Sequence, residues 1–464
     1  MIISRELARR IKAFRYDDLP DDAITWAKTA ILDTVGVTLA GAIEDCVRIV
    51  ERVQASGSDF SPGPCLIFGR ARRTHPLDAV LINGTASHAL DFDDFAITIG
   101  GHPSVPLVPA LIALGEMQGS SGKDVIQAYV AGYETQSRIA KAVNFHHYEK
   151  GWHPTATLGI FGTVAAAAHL LDLDEDRTAT ALALAVSLAS GVKANFGTMT
   201  KPLHVGHSVR NGVQAVLLAK DGFSANQEAF EEKQGFFNVF NGPGNFDADK
   251  IFDGWADPLD IIDPGLGLKQ FPCCGSTHPA ISCMLQLVRD HGLTADDVSA
   301  VDIKTNPRRL PHTNNPDPQT PLEAKFSMHY AVARALTDGR VVLDHFEGDA
   351  FHDAAVRKIM AGVSVGEHPE MGVETANQFG AEVTVTKQDG ETVSARINHQ
   401  LGRGPAHPMS SEELWSKFED CASRVLERDQ IASVFKQLEN FEAVSAITDL
   451  TDALIPENRR ENVG

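Results

Sequence analysis

From residue 1 to about residue 260, apolar side chains recur at three- and four-residue spacing, and that period commits this part of the chain to packed helices. Ile24, Ala27, Ile31, Val35 and Leu39 set the pattern, with Pro20 where a first helical turn begins. Further helices are predicted over Leu77–Leu90, Ser104–Met117, Lys123–Val143, Thr155–Leu171, Asp176–Ser190, Gly206–Lys220 and Ala225–Lys233. The stretches Gly159–Ala168 and Ala179–Ala189 are built of small residues without a strongly polar face, so their helices belong at the centre of a buried core where backbones approach closely.

The Pro, Gly and Asp residues of Asp257–Gly267 break this pattern, which places a domain boundary near residue 265. Beyond it, a helix over Ala280–His291 and another over Leu322–Leu336 alternate with strand-like runs at Val298–Thr305, Ala381–Lys387 and Thr392–Ile397. The helical period returns at Glu412–Glu427 and Gln430–Leu438. With 464 residues, more than one core is expected. The reading is a mainly α protein: a large all-helical domain from residues 1–265 and 405–464, and an inserted, smaller α+β lid domain from residues 266–404.

A net charge of −20 argues against nucleic acid or an anionic membrane as partner. The six cysteines are scattered without the spacing of a disulfide framework, which suggests a reducing compartment. The N-terminal stretch has no signal-peptide h-region and merges early into the helical pattern, so no transit peptide is expected and the location is read as cytoplasmic.

Five times a His or Lys precedes proline and then an apolar run: His75, His102, His153, Lys201 and His278. Proline suits a first helical turn, so each of these side chains is expected at a helix start, and several such starts around one cavity would favour a small polyanion. His75 has no polar cluster around it and reads as a surface helix start. The densest polar segment runs from Asn83 to Phe95 and includes His88, Asp91, Asp93 and Asp94, followed by His102. Asp91, Asp93, Asp94 and His102 could ligate a metal, although no spaced helical His pair or cysteine pair accompanies them. Asp91 to Asp94 also has the DxDD form used by terpene cyclases, but aromatics at 7% are too few for a carbocation pocket. Lys201, His204, His207 and Arg210 gather four potential cations, readable as an anion site or as a basic turn. Adjacent Cys273 and Cys274 precede an N–H-rich turn, Gly275-Ser276-Thr277, and read as buried, inert thiols.

Taken in order, Leu32 to Gly41, Asn83 to Asp94, His102-Pro-Ser104, Gly132-Tyr-Glu134, His153-Pro-Thr155, Lys201-Pro-Leu-His204, Cys273 to His278 and Lys325 to Tyr330 resemble the MmgE/PrpD family over nearly the whole chain. That family comprises 2-methylcitrate dehydratases, cis-aconitate decarboxylases and iminodisuccinate epimerases. The resemblance implies a homodimer, an active site in the cleft between helical domain and lid, and catalysis without metal or organic cofactor. It puts the family's acidic position on Asp91, its histidines on His102 and His153, its lysines on Lys201 and Lys269, and its lid tyrosine on Tyr330. His204, Arg210 and His278 are expected to bind substrate. One departure is Phe95: decarboxylase-like members have Thr after the double Asp, and here the stretch to His102 is one residue longer. This weighs against decarboxylation.

The three family reactions share the making or quenching of charge at a carbon next to a carboxylate. Lys201 and Lys269 are expected to hold that charge. His102 or His153, kept neutral by a helix dipole, is expected to act as base, and the other histidine, assisted by Asp91 or Tyr330, as acid. The expected activity is cofactor-free dehydration of a 2-methylcitrate-like di- or tricarboxylate. An epimerase of an imino- or amino-dicarboxylate, a cis-aconitate decarboxylase and, from another class, a metal-dependent hydrolase using Asp91, Asp93, Asp94 and His102 are the alternatives.

Overall fold

A computed structural model describes residues 1–55, 62–372, 375–399 and 402–457, and its fold is mainly α. Two compact units divide it: residues 1–268 with 404–406 and 414–464, and residues 269–403 with 407–413.

In the first unit the helices are α1 (Ile3–Ala13), α2 (Asp21–Gly41), α3 (Asp45–Ala55), α4 (Pro76–His88), α5 (Val108–Gln118), α6 (Gly122–Val143), α7 (His146–Glu149), α8 (Pro154–Thr157), α9 (Gly159–Leu170), α10 (Glu175–Leu188), α11 (Thr200–Lys220) and α12 (Phe236–Asn241). Local chemistry fixes several ends. Pro76 opens α4, Ser121 and Asp124 form a reciprocal capping box on α6, and the Asp174 carboxylate accepts the Arg177 N–H at the head of α10. A two-stranded antiparallel ribbon, β1 (Cys65–Leu66) and β2 (Arg73–Thr74), lies between α3 and α4 in the chain. The small-residue helix α9 is buried along nearly its whole length, as its composition predicts.

Helices α4 and α11 pack most closely where Gly84 faces Gly206. A Cβ on Gly206 would stand 2.3 Å from the Leu81 carbonyl oxygen, so only glycine permits the approach. Because Gly84 lies before the end of α4 and Gly206 after the start of α11, the contact brings the His88 end of one helix to the Lys201 start of the other.

The second unit carries α13 (His278–His291), α14 (Leu310–Thr313), α15 (Pro321–Lys325), α16 (Met328–Asp338) and α17 (Ala354–Met360). Its sheet has the order β4 (Val363–Glu367), β3 (Val298–Thr305), β5 (Ala381–Lys387), β6 (Thr392–Ile397). The β3–β4 pair is parallel and the other two are antiparallel. Strand β5 alternates buried and half-buried residues, as a sheet covered on one face requires, and α13 packs on β5 and β6. The chain then forms α18 (Ser411–Ala422), α19 (Arg428–Glu439) and α20 (Ile447–Ala453).

Three expectations are corrected. Residues 225–233 form turns, because Glu231 and Gln227 turn their acceptors to the start of α1, at the Ile3 N–H and the Ser4 hydroxyl. Helix α11 begins at Thr200 rather than Gly206; Pro202 falls in a first turn whose N–H groups have no intrahelical acceptor, so it costs nothing there. His102 is not at a helix start, since Pro106 delays the helix to Val108 and Leu107 N–H closes only a turn onto Ser104. Among the described residues no helix is long and apolar enough to cross a membrane.

Candidate active site

The first unit gathers its polar residues where α4 ends. After His88 the chain turns through Asp91, whose φ of 54° is left-handed, a conformation that costs a non-glycine residue about 1 kcal/mol and that Asp tolerates better than most. That turn leaves Asp91 half exposed and sends Asp93 and Asp94 inward, both fully buried. Asp94 is structural: it accepts from the Ser104 N–H and hydroxyl, Ser104 meets Tyr129, and burial holds the Asp94 carboxyl well above its usual range. His153 is delivered by a separate turn, anchored by the Trp152–Val192 bridge and by its own N–H on the Gly191 carbonyl at 3.0 Å.

Lys201, in the first turn of α11, donates from Nζ to Asp91 Oδ1 at 2.6 Å. His102 Nε2 lies 3.5 Å from the same oxygen. Behind them, Asp93 Oδ2 sits 2.8 Å from His88 Nδ1 and 2.9 Å from His102 Nδ1, the second contact being off the line of a straight hydrogen bond. A row of imidazoles continues from them. The His88 ring is 4.6 Å from His102 and 5.6 Å from His153, whose Nδ1 is 3.2 Å from His204 Nδ1. Phe196 closes the edge of His153 and lies 5.2 Å from the Lys201 ammonium.

Burial sets the charges. It pushes the His88 imidazole down to about 4 against the opposing pull of Asp93. Burial, reinforced by His88, Lys201, His102 and His204, pushes His153 far below the ordinary range, and burial also lowers His204. The expected cause, a helix dipole, is therefore replaced by desolvation among cations. Burial alone would raise Asp93, but the two imidazoles outweigh it and hold the carboxylate well below its usual range. With side-chain exposures of 43% for Asp91 and 18% for Lys201, the outer edge is open to an incoming anion while His88 and His153 stay buried.

Ligand atoms of His88, Asp91, Asp93 and His102 lie within 4.8 Å of one another, a spacing a metal ion could use. The Lys201 ammonium already neutralises Asp91, and Asp94 is turned into Ser104, so the quartet envisaged for metal-dependent hydrolysis is not assembled.

Of the expected site residues, Asp91, His102, His153, Lys201 and His204 come together. Arg210 lies about two and a half turns along α11 from Lys201, on the opposite helix face. Lys269, His278 and Tyr330 belong to the second unit, where all three are buried. Tyr330 donates its hydroxyl to the His345 carbonyl and accepts from Arg334 Nε at 3.0 Å. His278 packs edge-on against Phe271. Burial pushes the Cys273 thiol up to about 12, in keeping with an inert cysteine. Sequence reasoning gave no role to His88 and weighed Asp93 only as a metal ligand or as part of a cyclase-like DxDD motif; their five-residue spacing around Asp91 was the available clue.

The chain as a whole is similar to known enzymes. The MmgE/PrpD N-terminal domain matches residues 5–249 and the MmgE/PrpD C-terminal domain residues 271–440, so the chain belongs to the MmgE/PrpD family. Cis-aconitate decarboxylase from Homo sapiens is 30% identical, with 97% of this chain and 94% of that protein covered. The Mus musculus protein of the same name is also 30% identical, over 97% and 93%, and that of Aspergillus terreus 24%, over 97% and 96%. Family membership makes this chain an enzyme, and its relatives are lyases.

Proposed function

We propose that the protein is a lyase for a small di- or tricarboxylate that makes or quenches negative charge on a carbon next to a carboxylate. The observation that carries this reading is the Lys201–Asp91 pair at a half-open edge, backed by imidazoles that burial keeps neutral. A substrate carboxylate would take over the Lys201 ammonium from Asp91, and the same fixed cation would then stabilise the enolate-like charge. Neutral His153 can take a proton from carbon, and His102, oriented from behind by Asp93, can give one. Lys269, Tyr330, His278 and Arg210 remain proposed contributors on the strength of the family resemblance, as do a cytoplasmic homodimer and catalysis without metal or organic cofactor.

Two members of this reaction class have specific support. The relatives named cis-aconitate decarboxylase favour loss of CO2 from the methylene carboxylate of cis-aconitate. The electron pair shifts the double bond, and one proton quenches the charge beside the remaining carboxylate. Phe95, where the family resemblance puts Thr in decarboxylase-like members, weighs against decarboxylation and leaves dehydration of a 2-methylcitrate-like hydroxy acid as the other reading; its backbone is paired in both directions with Gly267, at 2.8 and 2.7 Å. Dehydration removes a proton next to a carboxylate and expels the neighbouring hydroxyl as water.

Proton NMR of chelator-treated enzyme with cis-aconitate, citrate and 2-methylcitrate tests the reading. Itaconate from cis-aconitate identifies the decarboxylase, and a new alkene from a hydroxy acid the dehydratase. Turnover only after divalent metal is restored would overturn the proposal.

A further inference from the structure

A pocket in the first unit shares no residue with the lysine, aspartate and imidazole cluster. It holds about 490 Å³, a size that suits a small organic molecule, and Arg9, Arg10, Phe14, Arg15, Trp255 and Leu259 are among its walls. Helix α1 and the turn after it supply the cations. Arg5, Arg9, Arg10, Lys12 and Arg15 put five positive side chains into one short stretch of a chain whose net charge is −20. Arg5 pairs with Asp176 and Lys12 with Asp172, while Arg9 and Arg10 share the single carboxylate of Glu6. Among the described residues Arg15 has no carboxylate partner. Its Nη1 donates to the Lys12 and Phe14 carbonyls at 2.7 and 2.6 Å, and its Nε and Nη2 meet no acceptor. The Arg10 guanidinium lies 5.0 Å from the centre of the Phe252 ring and 5.3 Å from that of Trp255, so a cation and an aromatic wall already hold each other in place.

The segment that carries Trp255 is fixed by a buried ion network for which the reaction above has no use. Glu134, from the Gly132-Tyr-Glu134 motif, accepts from Arg138 Nε at 2.6 Å, from the Ala256 N–H at 3.0 Å and from the Asp260 N–H at 2.8 Å. Arg138 also donates to the Asp253 and Gly254 carbonyls and lies 3.0 Å from Asp260. Under this hold Ala256, another wall of the pocket, keeps a left-handed φ of 57°, which is unfavourable for a residue with a β-carbon. Strain of that kind persists only where the surroundings enforce it, and it gathers at ligand clamps.

We propose that this pocket binds a small organic anion with a flat, apolar body: an aromatic or heteroaromatic ring that carries a phosphate or carboxylate. The ring rests on the apolar wall of Phe14, Trp255 and Leu259, and the anionic group takes the free N–H groups of Arg15, with Arg9 adding charge. Guanidiniums suit both parts, because they pair with oxyanions and stack on rings. Asp18, also a wall of the pocket, disfavours a bare polyanion and offers an acceptor to an amino or hydroxyl group of the ligand. The proposal is independent of the lyase reading.

Calorimetric titration of the full-length protein with ADP and, separately, 1-naphthyl phosphate, at fixed ionic strength, tests it. At least one of the two is expected to bind wild type, and the matching fragment without a ring or without a charge, pyrophosphate, adenosine or 1-naphthol, to bind about tenfold more weakly or worse. Arg15→Gln should weaken binding about tenfold, with Arg15→Lys intermediate, and Trp255→Leu should cause a similar loss through the ring contact. Both variants are expected to keep wild-type lyase turnover in the absence of the added anion. Binding of neither probe, pyrophosphate binding as tightly as ADP, or wild-type affinity in both Arg15→Gln and Trp255→Leu would overturn the proposal.

Discussion

Asp93 shows how one buried carboxylate can order a site it does not enter. It faces His88 and His102 through a single oxygen, so it fixes which nitrogen of each ring turns toward the outer edge. We class it as a positioning residue. Asp93→Asn is expected to lower kcat about a hundredfold with a smaller change in KM, and to move the alkaline limb of the pH–rate profile to lower pH, because the charge that favours a protonated, proton-donating imidazole is gone. Asp93→Glu should recover part of the loss. An unchanged pH profile would reduce Asp93 to a structural role. At this scale much of the cluster was legible in the sequence: Asp91, His102, His153, Lys201 and His204 lie in short polar motifs that break an apolar helical pattern. His88 and Asp93 were harder to read, because a buried His and Asp look the same in sequence whether they cap a helix or orient a neighbour. The lowered pKa of His153 was anticipated, but its cause is a three-dimensional property, burial among cations.

Among the elements, the site depends on how closely α4 and α11 approach. Val at position 206 would overlap the Leu81 carbonyl and Thr85, forcing apart the two helices whose ends carry His88 and Lys201. Gly206→Val is expected to cost about 2–3 kcal/mol in urea unfolding and to lower activity further than that loss of folded protein explains. Wild-type stability in this variant would contradict the close packing. The long helices were readable because their apolar period is sustained over many turns. The ends were less so. Pro202 reads as a boundary yet sits inside α11, since a first turn needs no N–H there, while the Pro103–Pro109 stretch, with three prolines, postpones α5 beyond His102. Residues 225–233 carry a helical period that tertiary contacts with α1 override.

In the molecule as a whole, the C-terminal return supports the site from behind. Lys417 pairs with buried Asp33 at 2.5 Å and donates to the Phe92 carbonyl at 2.9 Å, between Asp91 and Asp93 in sequence. No sequence period signals such a contact across more than three hundred residues. Buried histidines also couple folding to pH. His147 lies between Asn241 Oδ1 and Thr157 Oγ1, a pairing that suits a neutral ring, and burial pushes it down to about 4 from an unfolded value of 6.5. A depressed histidine stabilises the fold above pH 6.5 and loses that contribution as pH falls toward 4. Relative to His147→Gln, wild-type stability should therefore drop by about 3 kcal/mol between pH 7 and pH 4, read from urea midpoints. A pH-independent difference would show that folding leaves the His147 pKa where it stands in the unfolded chain. The central claim concerns charge next to a carboxylate, and one measurement meets it directly: turnover in D2O with chelator-treated enzyme, the product or recovered substrate analysed by NMR for deuterium on carbon. The account predicts either deuterium gained on the carbon beside a carboxylate, in decarboxylation, or hydrogen lost from that carbon, in dehydration, and loss of both with activity in Lys201→Met. Turnover that neither adds deuterium to such a carbon nor removes hydrogen from it would contradict it.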